Sequence, residues 1–371
     1  MMHDRACAAV QPQCRPAQLV SDSLTGLSAF SIAFIASLVL TVPVRAFAVR
    51  VGMVDLPGPR KVHAAPIPLL GGVAIYAGML PVFAMLMSRA EARAQLGGIL
   101  GGATLVAAVG FLDDRGWLHH QIKLFVAMPA AAGILLAGGV RAQVFSIVVG
   151  GQAGNWLDGV LTVGWVVGIT AAFSILDHMD GICAGTVAVA SFFFAVLAYV
   201  NGQAWVSALA AGVLGAAAGF LLWNFKPAKI FMGDGGAMFL GFLMATLGLK
   251  LRLQQADPAT RWLVPFLILI VPVFDTTLIT ISRLRRGLVP FATPGKDHAA
   301  HRLANLGLGQ RGAVLSLYGL GAAGGVTAIL VRRAGSPAAE ITTAAGAILV
   351  LAAVALLERA PFERQRKASG D

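Results

Sequence analysis

Eleven apolar runs, each close to the length that crosses a bilayer, recur along the chain and constrain its fold more than any other feature. They lie near residues 24 to 44, 69 to 88, 97 to 112, 123 to 139, 159 to 176, 185 to 201, 204 to 222, 236 to 250, 262 to 281, 312 to 331 and 338 to 357. A hydrocarbon layer of about 30 Å needs roughly 20 helical residues at 1.5 Å each. Only helices and closed barrels satisfy their own backbone groups in lipid, so runs of this length predict an all-α, polytopic helix bundle. Composition agrees: 57% of the 371 residues are hydrophobic and 12% charged, half the roughly 25% charged share of soluble domains. Stretches such as Gly97-Gly98-Ile99-Leu100-Gly101-Gly102 suit helices that pack closely within a membrane. Residues 1–23 read as a polar tail, 24–357 as a single transmembrane domain and 358–371 as a basic tail.

Eleven crossings place the termini on opposite sides, so the basic residues sort into two sets of loops. One set holds Arg45, Arg50, Arg60, Lys61, Arg115, Lys123, Lys226, Lys229, Arg283, Arg285, Arg286, Lys296, Arg302, Arg311, Arg359, Arg364, Arg366 and Lys367, 18 of the 28 Lys and Arg residues. The positive-inside rule makes this set cytoplasmic, with the N-terminus outside and the C-terminus inside. The net charge of +11 is thereby read as topology, without nucleic acid as a partner. Three cysteines, Cys7, Cys14 and Cys183, are too few and scattered for a disulfide framework.

The few ionisable residues crowd the same face. Asp113 and Asp114 close the third run, Asp177 and Asp180 close the fifth, Asn224 and Asp234 bracket the loop after the seventh, and His298 and His301 lie in the long basic loop. Asp275 alone lies inside a run, and its expected role divides evenly between a buried hydrogen bond and catalysis. Ion or solute carriers spread such groups along the bilayer midplane, whereas these sit at helix ends. Carboxylates converging with lysines and histidines suit Mg²⁺, with Mn²⁺ as its substitute, together with an anionic phosphate. Zinc is disfavoured because no His or Cys pair stands at ligand spacing with a third partner near it in sequence. The triplet Phe192-Phe193-Phe194 is expected to pack or face lipid.

The ordered motifs resemble the polyprenyl-phosphate N-acetylhexosamine-1-phosphate transferase family. They run from Val54-Asp55-Leu56-Pro57 and Arg60-Lys61-Val62-His63 through Asp113-Asp114 with Lys123, Asp177-x-x-Asp180-Gly181, and Asn224 ahead of Phe231-Met232-Gly233-Asp234. Asp275-Thr276 and His298-x-x-His301-Arg302-Leu303 complete the series. The His-x-x-His spacing is most similar to the undecaprenyl-phosphate N-acetylglucosaminyl branch. The resemblance implies an enzyme of the bacterial plasma membrane, with its site on the cytoplasmic face. It would move a sugar-1-phosphate from a UDP-sugar to undecaprenyl phosphate, release UMP and initiate a cell-surface glycan; association as a homodimer is allowed. It also implies Mg²⁺ on Asp234 with Asp113 and Asp114, and Lys123 as a phosphate-binding cation. Asp177 and Phe231 would serve the uracil, Asn224 the metal-diphosphate geometry, and His298, His301 and Arg302 the diphosphate or sugar end, with Asp180, Lys61 and His63 as further substrate-binding residues. A carboxylate pair serves either direct displacement or an aspartyl-phosphate route. Ala171 and Ser174 stand where the family usually has asparagines, and His178 where a small or amide residue is common. The alternatives are therefore another UDP-amino sugar as donor, or a non-catalytic paralogue or transporter of lipid-linked sugars.

Overall fold

The computed structural model describes residues 16–56, 65–88, 92–118, 120–253, 258–290 and 295–333, with short pieces between 341 and 360. Fourteen helices are described: α1 (Pro16–Arg50), α2 (Gly71–Met87), α3 (Arg93–Asp114), α4 (His120–Ile122), α5 (Met128–Ala137), α6 (Phe145–Val148), α7 (Gly151–Leu176), α8 (Ile182–Val200), α9 (Ala204–Asn224), α10 (Gly233–Lys250), α11 (Pro258–Ile268), α12 (Ile270–Arg285), α13 (Ala299–Leu303) and α14 (Gly309–Arg333). Among the described residues, six helices are long and apolar enough to span a membrane, seven if the bent pair α11–α12 forms one span. Gly71–Met87 and Lys123–Ala137 are shorter apolar helices. Ten of the eleven expected runs thus fall on helices, and most of the run at 338 to 357 lies outside the described residues. So do Cys7, Cys14, Lys61, His63 and the tail beyond 360.

The bundle is assembled around α10. Every residue of that helix except Asp234 and Leu249 is buried, as expected for a helix apolar all round. Its charged residues stand at its ends, Asp234 in the first turn and Lys250 in the last, complementing the helix dipole at both. Lys250 donates to Gln95 Oε1 at 2.7 Å and lies over the Trp205 ring. Glycine brings α3 against α10: a Cβ on Gly110 would lie 2.5 Å from the Gly235 Cα. That approach carries the end of α3, with Asp113 and Asp114, to the start of α10.

Two local features depart from a plain bundle. Val54–Asp55 pairs antiparallel with Ile67–Pro68 as β1 and β2. The strap continues into the α9–α10 loop, where Phe231 N–H donates to Pro68 O at 2.9 Å and Gly71 N–H to Phe231 O at 2.8 Å. The ninth run breaks by 81° between α11 and α12. Pro272 lacks an N–H, and its ring opposes the carbonyl four residues back, which puts the break at Leu269. The helix α7 begins at Gly151, ahead of the expected start at 159, because Asp158 is fully buried within it. Asp158 accepts N–H bonds from Val144, Phe145 and Ser146 at 2.8 to 3.0 Å, so it caps α6 instead of marking a loop. Phe193 and Phe194 pack inside while Phe192 is half-exposed, as expected of that triplet.

The α3–α10 contact predicts a graded glycine response. Gly110→Ala should lower thermal stability by about 1–3 kcal/mol, the usual overpacking cost, measured by melting in detergent or nanodiscs. Gly97→Ala, where the added methyl meets nothing within 4 Å, should be neutral or slightly stabilising.

Candidate active site

The end of α3, the wide turn Lys123–Ala127, the α7–α8 turn and the start of α10 meet at one carboxylate cluster. Lys123 Nζ donates to Asp113 Oδ2 and Asp234 Oδ2, both at 2.5 Å. A π-type turn widens the helix at Lys123, a distortion frequent where a side chain must be aimed. Asp114 caps α10 from outside: its Oδ1 accepts the Asp234 N–H at 2.7 Å and its Oδ2 the Gly235 N–H at 3.2 Å. Ser174 Oγ donates to Asp234 Oδ1 at 2.8 Å. The serine that stands where the family has an asparagine is therefore spent on holding Asp234.

Beside the cluster lies a cavity of about 770 Å³. Asp114, Asp177, Asp180, Asn224, Phe231, Asp234 and His301 line it, together with His178, Arg45, Lys226, Lys229 and Gln310. Residues from five separated segments, all assigned to one membrane face by charge counting, thus share one chamber. Burial pushes the Asp177 carboxyl up to about 8, helped by the charges of Asp234, Asp114 and Asp180. Asp180 Oδ2 accepts the Ala228 N–H at 3.1 Å. Asn224 is buried and spends its amide on the backbone: Oδ1 accepts from Gly181 at 3.0 Å and Nδ2 donates to Ile230 O at 2.9 Å. It clamps the α7–α8 turn to the α9–α10 loop.

The histidine motif divides. His301 faces the cavity, while His298 is 4% exposed and its Nδ1 lies 2.8 Å from Asp275 Oδ2. Asp275 Oδ1 accepts the Ala299 N–H at 2.7 Å, so the intramembrane carboxylate makes a buried hydrogen bond. Arg302 is fully buried; it donates to Asp297 O, Leu357 O, Glu358 Oε2 and Ser282 Oγ at 2.7 to 3.0 Å. Its guanidinium faces the scaffold and is absent from the cavity wall. Arg45, Lys226, Lys229 and Gln310 enter that wall without having been singled out as site residues. The signal available was the density of lysines between Asn224 and Asp234.

A second cluster holds the basic loop. Arg283 donates to Asp297 Oδ1 at 2.8 Å and Oδ2 at 3.1 Å, and Arg286 also pairs with Asp297. Burial alone would raise the Asp297 carboxyl, but the hydrogen bonds and charges of Arg283 and Arg286 overcome it and hold the group at about 2.

Comparison with known proteins places this geometry. The family model described as glycosyl transferase family 4 matches residues 96–252. A probable undecaprenyl-phosphate N-acetylglucosaminyl 1-phosphate transferase from Bacillus subtilis is 34% identical over 82% of this chain and 85% of its own length. The chain belongs to glycosyl transferase family 4. A decaprenyl-phosphate N-acetylglucosaminephosphotransferase from Mycolicibacterium smegmatis is 32% identical over 91% of this chain and 89% of its own length. The undecaprenyl-phosphate alpha-N-acetylglucosaminyl 1-phosphate transferase of Escherichia coli is 27% identical over 72% and 73%. As a family member the chain is a membrane-embedded enzyme of the phosphotransferase class. The matched segment spans Asp113, Asp114, Lys123, Asp177, Asn224 and Asp234, which includes the whole carboxylate cluster.

Asp297 supplies a test of scaffold against site. Asp297→Asn leaves two guanidinium groups short of their buried counter-charge, so it should cost about 3 kcal/mol in thermal unfolding. The wild-type contribution is complete above the unfolded carboxylate value near 4 and is lost as pH falls from there towards 2. Melting curves of the variant should lack that acid step.

Proposed function

We propose that this chain transfers N-acetylglucosamine-1-phosphate from its UDP-sugar to undecaprenyl phosphate, releasing UMP and initiating a cell-surface glycan. One observation carries the reading: a cleft at Asp114 connects the polar cavity with an apolar groove. The groove, about 490 Å³, is walled by Pro43, Val44, Phe47, Leu70, Val73 and Phe111, with Arg115 and Trp117 at its edge. A second cleft containing Asp114, Arg115 and Trp117 joins it to the site. A lipid phosphate needs both surfaces at once, an apolar channel for its chain and cations for its head. The names of the relatives, which pair a polyprenyl phosphate with N-acetylglucosamine, support the same substrates.

The chemistry is attack by a lipid phosphate oxygen on the β-phosphorus of the donor. The bond from that phosphorus to the bridging oxygen breaks, and the oxygen leaves with UMP. Positioning and charge neutralisation carry most of such a reaction. Lys123 neutralises the attacking phosphate and bridges Asp113 and Asp234. Asp114 fixes the start of α10 through two N–H bonds. Both members of the acidic pair are held by donors, Asp113 by Lys123 and Asp114 by backbone, which favours direct displacement over a carboxylate nucleophile. Asp177 and Phe231 serve the uracil, and His301 with Lys226 and Lys229 the diphosphate and sugar. His298, Asn224 and Arg302 act as positioning residues. The donor set fits a hard divalent cation: carboxylate oxygens of Asp113, Asp114 and Asp234 gather about one lysine, and Gly233 leaves a gap that a Cβ would fill against the Asp114 carboxylate. Mg²⁺ bound there supplies charge screening and orientation of phosphate oxygens. Eleven spans, an outside N-terminus and a cytoplasmic site in a bacterial plasma membrane complete the proposal, with residues 24–357 as one catalytic domain.

The test is UMP release from membranes given UDP-N-acetylglucosamine, undecaprenyl phosphate and Mg²⁺. Asp234→Asn should reduce the rate at least about a hundredfold, on the scale of losing one charge-stabilising group, without loss of the folded protein. Full activity in that variant removes the metal assignment. Failure of every UDP-sugar in a panel to yield UMP leaves the transporter or non-catalytic reading.

A further inference from the structure

His178, Asp275 and His298 are nearly 100 residues apart at their widest sequence gap, yet one donor atom from each lies within 4.8 Å of the others. They come from three separate pieces: the α7–α8 turn, the middle of α12 and the residue preceding α13. His178 is the unusual member. Both of its ring nitrogens are closed off from solvent, and neither has a hydrogen-bond partner. A buried donor or acceptor left unpaired costs about 1–3 kcal/mol, so an imidazole with both nitrogens idle is out of balance as it stands. Stacking on His298, with ring centres 4.0 Å apart and planes at 30°, satisfies neither nitrogen. Asp275 and His298, by contrast, already form a bonded pair.

We infer that His178, Asp275 and His298 form a binding site for a zinc-type divalent cation, distinct from the carboxylate cluster of Asp113, Asp114 and Asp234. Two imidazoles with one carboxylate are the donor set of borderline transition metals, whereas Mg²⁺ is held through oxygen. Zinc bonds of about 2.0–2.2 Å set donor separations near 3.4 Å. The ion enters between His298 Nδ1 and Asp275 Oδ2, widening that contact, and His178 pivots inward to bring its ring nitrogen to bonding distance. The proton on His298 Nδ1 moves to Nε2, so the imidazole ligates as a neutral group and no bond is left unbalanced. His178 is held neutral as well: burial lowers its affinity for a proton, and His298, His301 and Arg283 lower it further. Arg283 faces this region, but its guanidinium is committed to Asp297. Asp180, on the turn with His178, brings negative charge. His301, whose ring centre is 4.8 Å from that of His178, stands beside the remaining coordination position on the cavity side.

The consequence is a clip. An ion here ties the turn that carries Asp177 and Asp180 to α12 and α13, and so fixes the width of the donor cavity between Asp177 and His301. It goes beyond the transfer reaction and does not depend on which sugar is moved.

The experiment uses the full-length protein in nanodiscs, stripped with a chelator and titrated with Co²⁺ alone. One equivalent should develop visible ligand-field absorption of four-coordinate intensity, which Zn²⁺ then displaces, and Zn²⁺ should raise the melting temperature. His178→Asn should weaken Co²⁺ binding more than about a hundredfold, beyond the 10- to 100-fold typical of losing a group that only supports a ligand. His178→Gln serves equally if the first variant melts early. Asp234→Asn should leave the band intact, because the all-oxygen cluster gives only weak six-coordinate absorption. The proposal is overturned if the folded wild type develops no such band, if the His178 variants keep it, or if Asp234→Asn abolishes it.

Discussion

A carboxylate at the end of one helix caps the start of another, and the site is organised by that contact. Asp114 takes the N–H groups of Asp234 and Gly235, which α10 cannot satisfy within itself. The bond forms only because Gly110 and Gly235 let α3 and α10 touch. It fixes Asp234 against Asp113 and Asp114, an arrangement that like charges resist. Lys123 offsets the repulsion by bonding two of the three carboxylates, and the amino end of α10 contributes its partial positive charge. The cluster is therefore held together by the fold and made tolerable by one lysine.

Around this centre, many polar side chains are consumed in holding backbone. Asn224 joins the α7–α8 turn to the α9–α10 loop, Tyr318 Oη donates to Gly181 O at 2.5 Å, and the strap at Ile67–Pro68 pairs with Phe231. Gly181 itself takes a left-handed φ of 78°, a conformation that costs glycine little. Each tie crosses between segments remote in sequence. The cavity wall owes its shape to these ties, and the residues left facing the cavity, Asp177, His301 and the lysines among them, are free to meet a ligand.

Much of this was legible from sequence. Spanning-length apolar runs fixed the class of fold, and charge counting grouped loops that share one chamber. What escaped has a physical reason. Burial direction is not encoded in a motif: His298 and His301 are three residues apart, yet one turns into Asp275 and the other into the cavity. Arg302 resembles a substrate-binding cation, but its guanidinium meets the Leu357 carbonyl and the Glu358 carboxylate, 55 and 56 positions away, partners that no spacing reveals. A carboxylate inside an apolar helix is costly, and at Asp158 three backbone N–H groups remove the cost. Zinc-type chemistry was set aside for want of local spacing, and the fold gathered His178, Asp275 and His298 regardless.

The distribution of charge follows from the same economy. With 17 acidic residues against 28 basic ones, an acid placed inside the bundle needs an identified donor. Asp234 has Lys123 and Ser174, Asp114 has two N–H groups, Asp275 has His298 and Ala299, and Asp297 has two arginines. Asp177 stands apart. It lines the cavity among other acids, and burial holds it near 8, so near neutral pH it is largely an uncharged carboxyl able to donate. A group that can give as well as accept a hydrogen bond suits an imide-like edge better than a phosphate. The acids of this chain thus divide by environment: a set bonded by Lys123, Ser174 and backbone N–H groups at the start of α10 for charge, and a largely uncharged carboxyl at the cavity wall for recognition.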